Sequence, residues 1–377
     1  MKTPDIIIRG KDNGEGMVIR YQTSKGTNIF GLAIPNIRAE VDWDLGPTWC
    51  YLVLGKKTTL VDTGRYGTFG VLRTLLKSVG KEPSDIDRII ITHSHEDHDG
   101  NLAEIISAGE AELWAHSIYR QMISYHPHIK DDARHPELPG SCRLCDMPEK
   151  FYKNCLPYHK KRSSLSIDFD IKDDQSLPDD DLGFIFTPGH SPDSICIVLE
   201  DEVIFTGDTI LPDITPHPSL AHDFEANRRI LPEGYREENV VYGLMTYIKS
   251  LTKITSLSSQ PLQATFPAHR LFYNGQFNVI SSSSGRAKET IQFHIDRCGE
   301  ILKIIDNKVA TIEDIAIRHF PPSLLAGMGK LLAINEVKAH IEIMEELGDI
   351  CWVGEEKNVV QRTGSNNFLI TMGAYLR

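Results

Sequence analysis

Residues 89–100 read Ile-Ile-Ile-Thr-His-Ser-His-Glu-Asp-His-Asp-Gly, and they constrain the chain more than any other stretch. Three β-branched residues, Ile89, Ile90 and Ile91, predict a buried strand, and Leu102, Ile105 and Ile106 predict one face of a helix beyond Gly100. His93, His95, Asp97 and His98 are thereby confined to a tight turn between strand and helix. Histidines two apart at a strand end can converge on one cation, which leaves Asp97 and His98 to face a second. An ordinary solvated turn carries Gly, Asn, Asp and Ser, not three imidazoles in six residues. Such a cluster is unfavourable unless a metal organises it.

Further histidines and aspartates close other apolar runs. Tyr51–Leu54 and Thr58–Val61 read as two strands around Gly55-Lys56-Lys57, the second delivering Asp62. Leu72, Leu75, Leu76 and Val79 keep helical spacing, with Gly80 as the stop. A strand over Glu112–Ala115 ends at His116, which we read as structural or lid-facing. Phe184-Ile185-Phe186 leads into Thr187-Pro188-Gly189-His190. Ile195–Leu199 and Val203–Phe205 flank Glu200-Asp201-Glu202 as a hairpin that delivers Thr206-Gly207-Asp208-Thr209. Cys196, inside that apolar run, is core and not a ligand. A helix is expected from about Asn239, and a strand at Ala264-Thr265-Phe266 then leads to Pro267-Ala268-His269.

The His-x-His-x-Asp-His turn after an apolar strand resembles the signature of the metallo-β-lactamase superfamily. The motifs at His190, Asp208 and His269 look like its later ligand motifs, in family order, and Asp62 in Val61-Asp62-Thr63-Gly64 matches its early supporting aspartate. The resemblance spans roughly residues 45–275. It implies an α/β chain folded as an αββα sandwich with a one- or two-metal site on its edge. His93, His95 and His190 would hold one metal and Asp97, His98 and His269 the other, with Asp208 and a hydroxide as bridges. Asp97 would also carry the proton to the departing group. Imidazole and carboxylate suit zinc, iron or manganese. The implied reaction is hydrolysis, of a thioester or related ester in the manner of glyoxalase II. The alternatives are a mononuclear-iron persulfide dioxygenase, or a lactonase or phosphodiesterase of the same fold. His at position 95 argues against the oxygen-reducing diiron relatives, which have Glu there.

Residues 117–181 are too long for a plain connection in a compact domain. We expect them to form a lid insertion, as insertions here do in the family. Within them Cys142, Cys145, Cys155 and His159 make a C-x2-C-x9-C-x3-H spacing, which suits one additional structural zinc. An iron–sulfur cluster is the lesser tenant of those ligands, and the family resemblance lends this element no support. Lys150, Lys153, Lys160, Lys161 and Arg162 form a basic run. It is either a solvated surface or a clamp for a small anionic substrate such as a coenzyme A phosphate or a glutathione carboxylate.

The chain of 377 residues suggests two domains, a catalytic one over 1–280 and a second over 281–377. Ser281-Ser282-Ser283-Ser284-Gly285 reads as a linker. Helices are expected near 287–305, 312–319 and 323–333, with Asn335 capping another whose apolar face is Val337, Ile341, Met344 and Leu347. A hairpin over 350–360 follows. Helices then a two-stranded wing are similar to the winged-helix domain appended to some hydrolases of this family. A net charge of -12 and the carboxylates of Glu336, Glu342, Glu345 and Glu346 oppose nucleic-acid binding. Helix and wing are expected to pack on the catalytic domain or on a second subunit, as in a homodimer. No run reaches the ~18 apolar residues of a membrane span, and the first residues lack an apolar leader core. Seven cysteines without a leader point to reduced thiols or metal ligands, and the cytoplasm is the expected compartment.

Overall fold

A computed structural model describes residues 3–36, 43–124, 157–257, 262–306, 308–327, 329–354 and 359–377. Eight strands lie side by side in chain order: β1 (Asp5–Ile8), β2 (Val18–Gln22), β3 (Asn28–Ile34), β4 (Thr48–Leu54), β5 (Thr58–Val61), β6 (Arg88–Ile90), β7 (Glu112–His116) and β8 (Phe169–Ile171). Pairing is antiparallel as far as β5 and parallel from β5 to β8. The change follows from the connections, because parallel neighbours need a crossover. Helix α1 (Phe69–Ser78) follows β5, α2 (Glu96–Asp99) and α3 (Leu102–Ala108) follow β6, and α4 (Ser117–Ser124) follows β7.

The second sheet holds β9 (Ser176–Leu177), β10 (Leu182–Phe186), β11 (Ile195–Leu199), β12 (Val203–Gly207) and β13 (Ala264–Pro267), in the order β13-β12-β11-β10-β9. A helix over 157–162, α5, precedes β8. Helices α6 (Asp223–Asn227) and α7 (Leu244–Ser256) lie between β12 and β13. Strand residues alternate between two apolar layers, as strands buried on both faces must. Ile195 and Ile197 point between the sheets, where Tyr51, Phe205 and Phe266 pack together, and Cys196 and Ile204 point outward onto α7. Leu72, Leu76, Leu102 and Ile105 cover the outer face of the first sheet. The layers are therefore helix, sheet, sheet, helix.

Several expectations are corrected. The ends of the 117–181 insertion belong to the sandwich: Ile118, Tyr119, Met122 and Ile123 of α4 are buried, and β8 and β9 are paired strands. A polar composition hid them because each apolar run is only two or three residues long. Asn239 does not start a helix. Its Oδ1 accepts from the Val241 and Tyr242 amides in a turn, and α7 begins only after Gly243.

Beyond a small hairpin of β14 (Phe272–Tyr273) and β15 (Gln276–Phe277) comes α8 (Ser283–Ile305). The serine run is not a linker, since Ser282 caps α8 by accepting from the Gly285 amide at 3.0 Å. Then follow β16 (Val309–Thr311), α9 (Ile312–His319), α10 (Gly329–Glu346), β17 (Ile350–Val353), β18 (Val359–Arg362) and α11 (Asn367–Gly373), with the three strands in the order β16-β18-β17. Asn335 lies inside α10 and caps nothing. Ala333 and Val337, buried on either side of it, carry the helix through a residue that would otherwise favour its end. The apolar face of these C-terminal helices is continuous with that of α7.

Candidate metal centre

The turn after β6 is fixed before any metal is considered. Asp62, at a positive φ of 56°, accepts from the Thr92 amide and from Thr92 Oγ1, both at 2.8 Å, and faces His98 Nδ1 at 2.8 Å. An Nδ1–H donated there leaves the Nε2 lone pair of His98 pointing inward. Two glycines in the later motifs are required by close approach. A side chain at Gly189 would meet the Tyr247 backbone at 2.4 Å, and one at Gly207 would meet Thr92 Oγ1 at 2.8 Å, both at positive φ.

All seven expected sandwich ligands converge. His93 Nε2 and His190 Nε2 lie 3.0 and 3.1 Å from His95 Nδ1. His98, His269 and Asp97 form a second group, with His269 Nε2 3.3 Å from Asp97 Oδ2 and His98 Nε2 3.8 Å from Asp97 Oδ1. Asp208 sits between the groups. Its Oδ2 is 3.4 Å from His190 Nε2 and 3.6 Å from His98 Nε2, and its Oδ1 is 3.4 Å from His269 Nε2. Within His93–His95–His190, His93–His98–Asp208 and Asp97–His98–His269 the donor atoms all lie within 4.8 Å of one another.

Electrostatics divide the cluster. Burial holds the His93 and His95 imidazoles below their usual range, His95 down to about 3, so both keep free lone pairs. Burial works the same way on His98 and His269, but Asp208 and Asp97 outweigh it and raise both. Burial would raise Asp97 and Asp208, yet the adjacent His98 and His269 keep both carboxyls well below the ordinary range. The carboxylate end thus demands positive charge. His98 Nε2, His269 Nε2 and Asp208 Oδ1 are buried and lack a hydrogen-bond partner, all at this end. Imidazole nitrogens and carboxylate oxygens with those orphaned atoms fit divalent cations.

Apart from Asp62, sequence reasoning missed the supports. Asn36 Nδ2 and Thr48 Oγ1 donate to Asp97 Oδ2 at 2.9 and 3.2 Å, and Arg65 reaches Asn36 Oδ1 at 3.1 Å and Glu96 at 3.0 Å. Burial, with Asp97 and Asp99 adding to it against Arg65, pushes the Glu96 carboxyl up to about 7. Pro47 O lies 3.2 Å from His269 Nδ1, and His217 O 2.7 Å from His190 Nδ1. These partners are backbone groups or single polar residues remote in sequence, with no motif to mark them.

Arg162 corrects the clamp reading of the basic run. It is buried, donates to Ser94 O at 2.8 Å and to Asp99 Oδ2 at 2.9 Å, and stacks over Tyr158. A guanidinium shut away from water needs such partners, so it is not offered to a substrate. Lys161 pairs with Glu104 at 2.6 Å. His116 is structural, stacked on Phe186 with its Nε2 2.8 Å from Asp173. Cys142, Cys145, Cys155, Lys150 and Lys153 lie outside the described residues. His159 is buried on α5 beside Tyr158 and joins no group of potential ligands among the described residues.

A further group, His294, Glu336 and His340, is buried between α8 and α10. Arg297 already pairs with Glu336 Oε1 at 3.0 Å, His340 Nδ1 faces Glu336 O at 2.7 Å, and His294 Nδ1 faces His340 Nε2 at 3.0 Å. With its carboxylate neutralised and its imidazoles bonded to each other, this group reads as a hydrogen-bond network.

Comparison with known proteins agrees with this fold. The family model described as the metallo-beta-lactamase superfamily matches residues 43–244. The probable metallo-hydrolase YqjP of Bacillus subtilis is 23% identical over 320 residues, which is 82% of this chain and 91% of that protein. The beta-lactamase-like protein 2 homolog of Drosophila melanogaster is 22% identical over 300 residues, 78% of this chain and 81% of its own length. The crystal structure of the metallo-beta-lactamase family protein TTHA1429 from Thermus thermophilus superposes with a TM-score of 0.64 at 21% identity, covering 89% of this chain and 98% of that one.

Proposed function

The chain belongs to the metallo-β-lactamase superfamily and is an enzyme of that hydrolase fold, and from this premise we propose that it hydrolyses a thioester or related small-molecule ester with two divalent cations. The observation that carries the reading is Asp208, whose two oxygens lie 3.4–3.6 Å from ring nitrogens of both groups. In this reading His93, His95 and His190 would hold one cation and Asp97, His98 and His269 the other, with Asp208 placed between the two groups. Zinc is the favoured metal, with iron or manganese compatible with the same donors. Such a pair lowers the pKa of water towards neutrality and polarises the oxygen under attack.

The chain's own residues do the remainder. Asp62 keeps His98 in one tautomer, and Asn36 and Thr48 fix one oxygen of Asp97. Asp97 is ionised at rest, because its carboxyl lies well below the ordinary range against the pull of burial. A carboxylate held that low is a weak base, so in this reading Asp97 would hold the proton only in passing, between the attacking water and the departing thiol or alcohol. The test is metal content together with turnover on thioester, lactone and phosphodiester substrates. About two metals per chain and preference for the thioester are expected, and preference for a phosphodiester would overturn the substrate class.

Two smaller proposals accompany it. Cys142, Cys145 and Cys155 with His159 hold a separate structural zinc, so replacing Cys142 and Cys145 by Ser should remove one metal per chain and leave the catalytic pair. An unchanged metal count rejects this. We propose that α8–β16–α9–α10–β17–β18 make up a winged-helix-like unit that packs on the sandwich and does not bind duplex. Two carboxylates of α10 support this by facing inward, Glu336 to Arg297 and Glu342 to the Ala221 amide. Salt-sensitive micromolar DNA affinity would count against it. No described helix is long and apolar enough to cross a membrane.

A further inference from the structure

His190 is oriented by the backbone carbonyl of His217, 2.7 Å from its Nδ1. That carbonyl belongs to residues 211–222, a stretch with neither helix nor strand. A carbonyl in irregular backbone can fix an imidazole only if something fixes the backbone. On the inner side Ser219 N and Oγ donate to Gly189 O at 2.6 and 2.7 Å, and Arg270 pairs with Asp213 at 2.8 Å. The outer side is held by the C-terminal helices. Arg286 of α8 donates to Leu211 O at 2.7 Å and Ile214 O at 2.9 Å, pinning the start of the stretch. Glu342 of α10 accepts from the amides of Ala221 at 2.7 Å and His222 at 3.3 Å and meets His222 Nδ1, pinning its end. Between these anchors, Glu336 Oε2 lies 3.9 Å from His217 Nε2.

We infer that Glu342, with Arg286, is a positioning residue for His190, so that the C-terminal helices belong to the support of the metal centre. Packing alone does not call for a carboxylate here. A largely buried Glu loses its hydration, and an apolar residue would cover the sandwich at no such cost. What the carboxylate supplies is an acceptor for three N–H groups of one turn, and that sets where the turn sits. Arg286 does the reverse at the other end, donating to two carbonyls. The residue orienting His190 hangs between the two anchors.

The inference rests on the reading of His190 as a metal ligand, and cobalt(II) bound to the full-length protein tests both. Wild type, His190→Ala, Glu342→Ala, Glu342→Gln, Arg286→Ala and Glu346→Ala are titrated against a competing chelator, with the cobalt absorption spectrum recorded. Metal-free unfolding is followed in parallel. Glu346 is exposed on the same helix and serves as the control. Glu342→Ala should weaken one cobalt ion roughly tenfold to a hundredfold, as loss of a ligand's support does, and leave the other unchanged. Glu342→Gln keeps one acceptor oxygen and should fall between, Arg286→Ala should weaken the same ion, and Glu346→Ala should match wild type. A folded Glu342→Ala that binds both ions like wild type overturns the inference. If that variant does not fold, wild-type affinity for both ions in Glu342→Gln and Arg286→Ala does so. If His190→Ala loses no cobalt, the ligand reading fails first and this inference falls with it.

Discussion

The two ends of the candidate metal centre are held by different parts of the chain. Around His98 the supports belong to the sandwich, with Asp62 against Nδ1 at 2.8 Å and Thr92 against Asp62. Around His190 the support is a carbonyl in an irregular stretch, anchored on one side by a carboxylate 121 residues further along. Like ligands therefore differ in what keeps them in place. A change in the C-terminal helices should be felt at the His190 end, and a change near Asp62 at the other.

The largest expected effect removes the residue that the two ends share. Asp208→Ala should abolish hydrolysis and leave circular dichroism unchanged, and an active variant would sink the two-cation reading. Next is Arg162→Ala, which strands Asp99 in a buried site. It should destabilise the protein by about 3–5 kcal/mol in denaturant unfolding. A loss below about 1 kcal/mol would mean that Tyr119 and Tyr158, which also donate to Asp99, suffice alone. Smaller again is Asp62→Asn, expected to weaken one metal roughly tenfold to a hundredfold. Chelator competition should find that ion distinct from the one disturbed through Glu342, and the same ion in both cases would erase the difference between the ends.

The smallest effect concerns pH. His222 is raised above its usual value, first by its hydrogen bond to Glu342 and then by the nearby carboxylates, against burial. A raised imidazole contributes stability that is fully present below its unfolded pKa of roughly 6.5 and is lost as pH rises through the folded value. The advantage of wild type over Glu342→Gln in unfolding temperature should therefore shrink on going from below pH 6 to above that folded value. An advantage that grows instead would assign the contact to something other than His222.

What the sequence disclosed follows from what is local. The clustering of the sandwich's histidines and aspartates was readable because each closes a short apolar strand in a tight motif, and Gly189 and Gly207 carry their own steric reason. Of the supports only Asp62 was readable. Asn36, Arg162 and Glu342 are ordinary polar residues until the fold brings them to Asp97, Ser94 and Ala221. Arg162 was misread for that reason, since four lysines nearby made it look like surface charge. The serine run before α8 and Asn335 within α10 misled in another way, because a cap and a mid-helix residue carry the same letters as a linker and a helix start. Tertiary packing decided between them.

The two sheets are completed at different points of the chain. All eight strands of the first lie before residue 172, and those of the second end at Pro267, but the apolar cover over the second sheet's outer helix comes from residues after 282. On the ribosome, the first sheet and its helices can assemble while that outer surface stays bare, and the helices after residue 282 close it. Arrested chains released at residue 280 should therefore bind a hydrophobic dye and aggregate, whereas full-length chains should not. Soluble, dye-silent arrested chains would show that the surface closes without them. The segment that supplies this cover is also the one that reaches back to Ala221, so the His190 end matures only once that segment has been synthesised.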